Sequence, residues 1–216
     1  MRTHTQETQA TITPAKALTF LKEGNERFRA NLRVSRNLLQ QINETREGQF
    51  PFATILSCID SRTGAELIFD QGLGDIFSIR LAGNVVNEDV LGSMEFSCRV
   101  AGARLVVVLG HSQCGAIKGA CDGVQLGNLS SLLNKIQPAV YRERTETRDR
   151  TSKNTEFVER VAEIHVRRSV ASIIEQSVVL REMIEKGQIA LVGAMYSVET
   201  GEVTFLDDTL RQGAQP

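Results

Sequence analysis

Short unbroken apolar runs stand out along the middle and end of the chain: 52–57, 75–79, 105–109 and 189–196. The third, Leu105-Val-Val-Val-Leu109, is β-branched and closed by Gly110. Runs that do not alternate with polar residues predict strands covered on both faces, as in a parallel sheet. Helical periodicity fills the intervals at 64–70, 90–100, 116–121 and, as one long helix, 155–186. Strand alternating with helix predicts an α/β fold with a mainly parallel central sheet flanked by helices. Glu199-Thr-Gly201 ahead of Val203–Leu206 reads as a hairpin turn that adds one antiparallel edge strand.

The start of the chain has another texture. Residues 1–13 are polar and without apolar period, which predicts a flexible N-terminal tail. Pro14 then suits a first helical position, where its missing N–H costs nothing. Ala17, Leu18, Leu21 and Phe28 follow at helical spacing, and a shorter helix over 38–45 is stopped by Gly48. Residues 14–47 form a helical arm on a single domain of residues 14–216.

Composition narrows the class. The 216 residues carry 25 Lys plus Arg against 26 Asp plus Glu, a net charge of -1. That balance excludes nucleic-acid binding by bulk phosphate neutralisation and a polybasic membrane surface. No run reaches the roughly 18 apolar residues of a membrane span. The polar start has no secretory apolar core, so the expected location is cytoplasmic. Four cysteines are too few for a disulfide scaffold in a chain this long, so they are read as thiols. The stretch 142–150 alternates charges and is read as a solvated surface.

Candidate chemistry lies after two of the predicted strands. Ser57-Cys58-Ile59-Asp60-Ser61-Arg62 follows the first, and Gly110-His111-Ser112-Gln113-Cys114-Gly115 follows the third. Open α/β sheets bind ligands at such carboxyl ends. Two thiolates, an imidazole and a nearby carboxylate form a zinc ligand set, and the soft sulfurs disfavour Mg²⁺ and Ca²⁺. Asp60 has two possible roles: held by Arg62 it orients a metal-bound water, or it closes the site as a fourth ligand. Cys98 and Cys121 are read as small buried apolar residues, and His4 and His165 as structural or exposed. Neither G-x-G-x-x-G after a strand nor a Walker motif is present, which argues against a nucleotide site.

The paired motifs Cys58-x-Asp60-Ser61-Arg62 and His111-x-x-Cys114-Gly115 resemble the signature of the β-class carbonic anhydrases. The resemblance runs from Gly24-Asn-Glu-Arg-Phe28 to Tyr196. It implies zinc, one per chain, on Cys58, His111 and Cys114, with Asp60 and Arg62 as the catalytic dyad. It also implies that Gln49 orients substrate, and that Phe77, Ala82 and Phe96 line a CO₂ pocket built partly by a neighbouring subunit of a dimer or tetramer. The implied reaction is reversible hydration of CO₂ to bicarbonate and a proton by zinc-bound hydroxide. Alternatives are a hydrolase of carbonyl sulfide or carbon disulfide, and a non-catalytic zinc-stabilised assembly or sensor module with Asp60 closing the site. Leu81 stands where many members have Asn. Ile55 replaces the Trp of an inhibitory bicarbonate site whose other parts match Arg80 and Tyr196, so that site is expected to be missing or weak.

Overall fold

The computed structural model describes residues 3–213. Strands β1 (Ala53–Ser57), β2 (Ile76–Arg80), β3 (Leu105–His111), β4 (Ala190–Tyr196) and β5 (Val203–Arg211) form one sheet in the order β2-β1-β3-β4-β5. All neighbours run parallel except β4 and β5, which are antiparallel. The parallel sheet, the flanking helices and the single antiparallel edge are those expected from the apolar pattern.

Every residue of β1 and β3 is buried, because both sheet faces are covered. On one face Ile55, Leu105, Val107 and Leu109 pack with Ala17 and Leu21 of α2 (Pro14–Arg29) and Ala65 and Ile68 of α4 (Ala65–Ile68). On the other, Leu56, Val106 and Val108 meet Val166, Val170 and Ile173 of α9 (Thr155–Gln176). The period of two along β3 thus divides its side chains between two cores. Fully burying one such aliphatic side chain contributes about 1.5–3 kcal/mol.

Two glycines set how closely α9 approaches. A Cβ on Gly110 would lie 2.5 Å from Val166, and one on Gly193 would lie 2.7 Å from it. Adding either methyl overpacks the core, a change that typically costs about 1–3 kcal/mol.

The sequence reading needs correction in several places. The expected tail contains α1 (Gln6–Ala10), capped by Thr5, although residues 1 and 2 lie outside the described residues. Gln9 is buried there, and its amide donates to the carbonyls of Pro51 (2.7 Å) and Ala101 (2.8 Å). Thr3 also bonds Glu44, His4 packs against Phe20 and Phe52, and Ile12 enters the core, a scattered set of anchors with no apolar period. The expected long helix breaks at Ser177 into α9 and α10 (Val178–Glu185). Ser177 has extended backbone, and its hydroxyl accepts from Leu180 N–H as an N-cap. Two unanticipated helices, α7 (Gly127–Asn134) and α8 (Gln137–Arg142), lie between α6 (Gly115–Cys121) and α9. The segment read as solvated buries Glu143, which holds Arg150 at 3.0 Å and Arg160 at 3.1 Å. The arm helix α3 (Leu38–Thr45) matches its expected span, while α5 (Glu88–Glu95) continues as a π-helical turn through Phe96–Val100.

Candidate metal centre

Register brings the two motif turns together. Ser57 on β1 pairs with Leu109 on β3, so Cys58 and His111 leave neighbouring strands at the same end of the sheet. After His111, Gln113 takes a left-handed backbone (φ 57) that turns the chain into α6. Cys114 is the N-cap of that helix, and N–H groups of Ala116 and Ile117 face its sulfur. The ligand atoms of Cys58, His111 and Cys114 all lie within 4.8 Å of one another, and all three residues are buried.

The donor set fits a soft divalent cation. His111 Nδ1 sits 2.9 Å from the carbonyl of Ser112, an acceptor only, so Nδ1 carries the proton. Its Nε2 therefore presents a bare lone pair, buried and without a hydrogen-bond partner. An orphaned buried acceptor beside two sulfurs is what a zinc ligand looks like without its ion. The Cys58 thiol is pulled down, chiefly by the hydrogen bond from Cys114, against the opposing effect of burial. The same shared bond and burial push the Cys114 thiol up. The pair readily gives up one proton, and a cation would displace the second.

Asp60 stands apart from this cluster, gripped by its neighbour two residues on. Arg62 Nε donates to Oδ1 at 2.9 Å, Nη2 to Oδ2 at 2.8 Å, and the Arg62 N–H to Oδ1 at 2.9 Å. This fork holds the Asp60 carboxyl well below the usual carboxylate range, so it stays ionised. Arg80 fixes the same turn from below, donating to the carbonyls of Cys58 (3.0 Å) and Asp60 (2.6 Å). The Thr63 hydroxyl donates to Cys58 O at 3.0 Å.

Comparison with known proteins agrees with this constellation. The carbonic anhydrase family profile matches residues 53–203. Carbonic anhydrase 2 of Mycobacterium tuberculosis is 38% identical over 202 residues, covering 90% of this chain and 93% of its own. The carbonic anhydrase of Mycolicibacterium smegmatis is 34% identical, covering 88% and 92%. The β-carbonic anhydrase CafA of Aspergillus fumigatus superposes with a TM-score of 0.67 at 26% identity, over 94% of this chain and 92% of that one. The chain belongs to the β-carbonic anhydrase family.

Within the enzyme, the other motif residues are dispersed. Ala82 adjoins Gly83, whose N–H reaches Cys58 Sγ at 3.3 Å, and so borders the cluster. Gln49 is exposed ahead of β1, with the strand between it and Cys58, ~13 Å at the usual rise per residue. Phe77 pairs with Thr54, three residues below the carboxyl end of β2, ~10 Å along the strand. It meets Phe96 edge-on at 6.3 Å, and Phe96 is 53% exposed. Ile55, in the place of the Trp, is fully enclosed in the core, and Leu81 is half-buried against apolar neighbours. Cys98 is buried, its thiol pushed up to about 12 by burial.

Three residues escaped the sequence reading as parts of this site. Gly83 is left-handed (φ 63), and its N–H meets Cys58. His165, on the buried side of α9, contacts Gly83 O at 2.9 Å. Glu159 of the same helix accepts from Gln113 N–H at 2.9 Å and steadies the second turn. The apolar neighbours Val161, Ala162 and Val166 mark the inward face of α9, but no local spacing links its polar members to distant loops.

Proposed function

We propose that the enzyme catalyses reversible hydration of CO₂ to bicarbonate and a proton at one zinc ion held by Cys58, His111 and Cys114. The observation that carries this reading is the bare His111 Nε2 enclosed with two sulfurs while Asp60 is engaged by Arg62. Zinc bound there would supply a water acidic enough to serve as nucleophile. Two thiolates donate more charge than imidazoles, so activity is expected to rise toward alkaline pH. Asp60 accepts a hydrogen bond from the nucleophile and so orients it. Arg62 keeps that carboxylate ionised and aimed. Because both Asp60 oxygens already accept from Arg62, the pairing favours the open, catalytic arrangement over one in which Asp60 closes the site and the protein is a zinc-stabilised assembly or sensor module.

Gln49, Phe77 and Phe96 serve the reaction across an interface, Gln49 donating its amide N–H to a substrate oxygen at a neighbouring copy's site. The separation along β1 and β2 supports this, as does exposed apolar surface. Leu38, Leu39 and Ile42 on α3 are more than half exposed, and Val100 beside Phe96 is 71% exposed. A structural neighbour from Sordaria macrospora is described as tetrameric. Self-association as a dimer or tetramer is therefore part of the proposal, as is a cytoplasmic location. Among the described residues no helix is long and apolar enough to cross a membrane.

Stopped-flow CO₂ hydration with zinc-quantified protein tests the function. The expected outcome is a rate that scales with bound zinc and rises between about pH 7 and pH 9. One zinc per chain with no CO₂ hydration would transfer the site to the non-catalytic reading. Turnover of carbonyl sulfide or carbon disulfide in its place would assign the site to a CO₂ analogue.

A further inference from the structure

Gly83 is gripped from both sides. Its N–H donates to Cys58 Sγ at 3.3 Å, and its carbonyl lies 2.9 Å from His165 Nε2. A carbonyl oxygen only accepts, so Nε2 of His165 carries the proton. The two bonds belong to the two peptide planes that flank Gly83, and the backbone between them is left-handed at φ 63, ψ 22. Only glycine adopts this conformation without steric cost. A Cβ there would also lie 2.8 Å from Ile136 and 3.1 Å from Ala116, two residues beyond Cys114. Glycine is also the residue freest to rotate away, so something must fix its peptide planes.

We infer that His165 is a positioning residue for the Cys58 sulfur, acting through Gly83. His165 is 4% exposed and rides on α9 beside Val166, the residue seated over Gly110 and Gly193. The helix is therefore a fixed support, and His165 transmits its position to the Gly83 carbonyl. Fixing that carbonyl holds the Gly83 N–H on the sulfur. Burial keeps the imidazole pKa down to about 4, so the support is a neutral donor across the working pH range. A neutral donor orients the peptide without bringing a positive charge that would weaken the thiolate as a ligand.

The inference rests on the reading that Cys58, His111 and Cys114 hold zinc. Outer partners of metal ligands typically affect affinity or activity by about 10–100-fold. The test compares the zinc-loaded parent enzyme with His165→Met, which removes the donor at similar length, and His165→Gln, whose amide nitrogen reaches about as far as Nε2. Three properties are read: the rate of zinc release to a chelator, kcat against KM for CO₂ hydration, and the thiolate-to-metal charge-transfer band of the cobalt(II)-substituted protein. H165M is expected to release zinc about 10–100-fold faster, to lose kcat more than it raises KM, and to shift the band. H165Q is expected to return all three toward the parent. A parent-like release rate and band in H165M, whatever its melting temperature, would overturn the inference. If H165M does not fold, His165→Asn replaces it, being polar but too short to reach, with the same two outcomes. A parent chain that takes up no zinc overturns the metal-centre reading and this inference with it. A zinc-bound parent with an indifferent variant overturns this inference alone.

Discussion

The two turns of the candidate metal centre are held by different groups. Cys58 to Arg62 is held from the solvent side by the exposed Arg62 and Arg80, which reach back onto a carboxylate and two carbonyls, and from the core side by the Thr63 hydroxyl and the Gly83 N–H on Cys58. His111 to Cys114 is held by half-buried groups from later elements. Glu159 accepts the Gln113 N–H, and Ser112 Oγ accepts from Val198 N–H at 2.9 Å. In the proposed centre the first turn supplies one ligand, Cys58, and the ionised, half-buried Asp60. The second would supply two ligands, His111 and Cys114, and contains no carboxylate or amine side chain. On the proposed reading, one turn reacts and the other holds.

The largest expected effect probes the holding turn. Cys114→Ser should lose most of the bound zinc and, with it, CO₂ hydration, as read by metal analysis beside stopped-flow kinetics. Retention of full zinc and full rate would dissolve the distinction between the turns. Asp60→Asn tests the reacting turn and should keep zinc near one per chain while the rate falls by roughly 10²–10⁴, the usual contribution of a positioned acid–base group. Loss of zinc as well would make Asp60 part of the holding apparatus.

A smaller effect separates the supports behind the turns by pH. His165 is depressed from 6.5 to about 4 by burial. The unfolded chain therefore binds a proton between those values that the folded chain refuses. Stability contributed by the neutral ring is present above about pH 6.5 and is lost as pH falls toward 4, by up to about 3 kcal/mol. Melting temperature scanned over that window should fall more steeply for the parent than for H165Q, which cannot titrate. Parallel curves would place the acid sensitivity of this window in other groups, since the Asp60–Arg62 pair, with its depressed carboxyl, is lost only at more acidic pH.

What was legible in the sequence was local. Leu105–Leu109 announced a doubly covered strand because its β-branched run admits little else, and Gly110 announced its end. Cys58 and His111 could be brought together because both follow strands and strand ends share an edge of the sheet. Gln9 could not be read as an anchor, since its partners Pro51 and Ala101 are distant in sequence. Ser177 was hidden inside a continuous helical period because a cap is set by backbone angles, which apolar spacing does not encode. His165, expected to be structural or exposed, is buried. Its tie to Gly83 spans 82 positions, and only the fold brings them together.

The close seat of α9 over Gly110 and Gly193 also has a consequence for time scales. Val166, pressed onto both strands, leaves no space for even a methyl group between helix and sheet at this point. Amide protons of β3 and β4 beneath that seat can exchange with water only when the whole domain opens. The His111 turn leaves the end of one of these covered strands, while the Arg62 fork lies exposed at the surface.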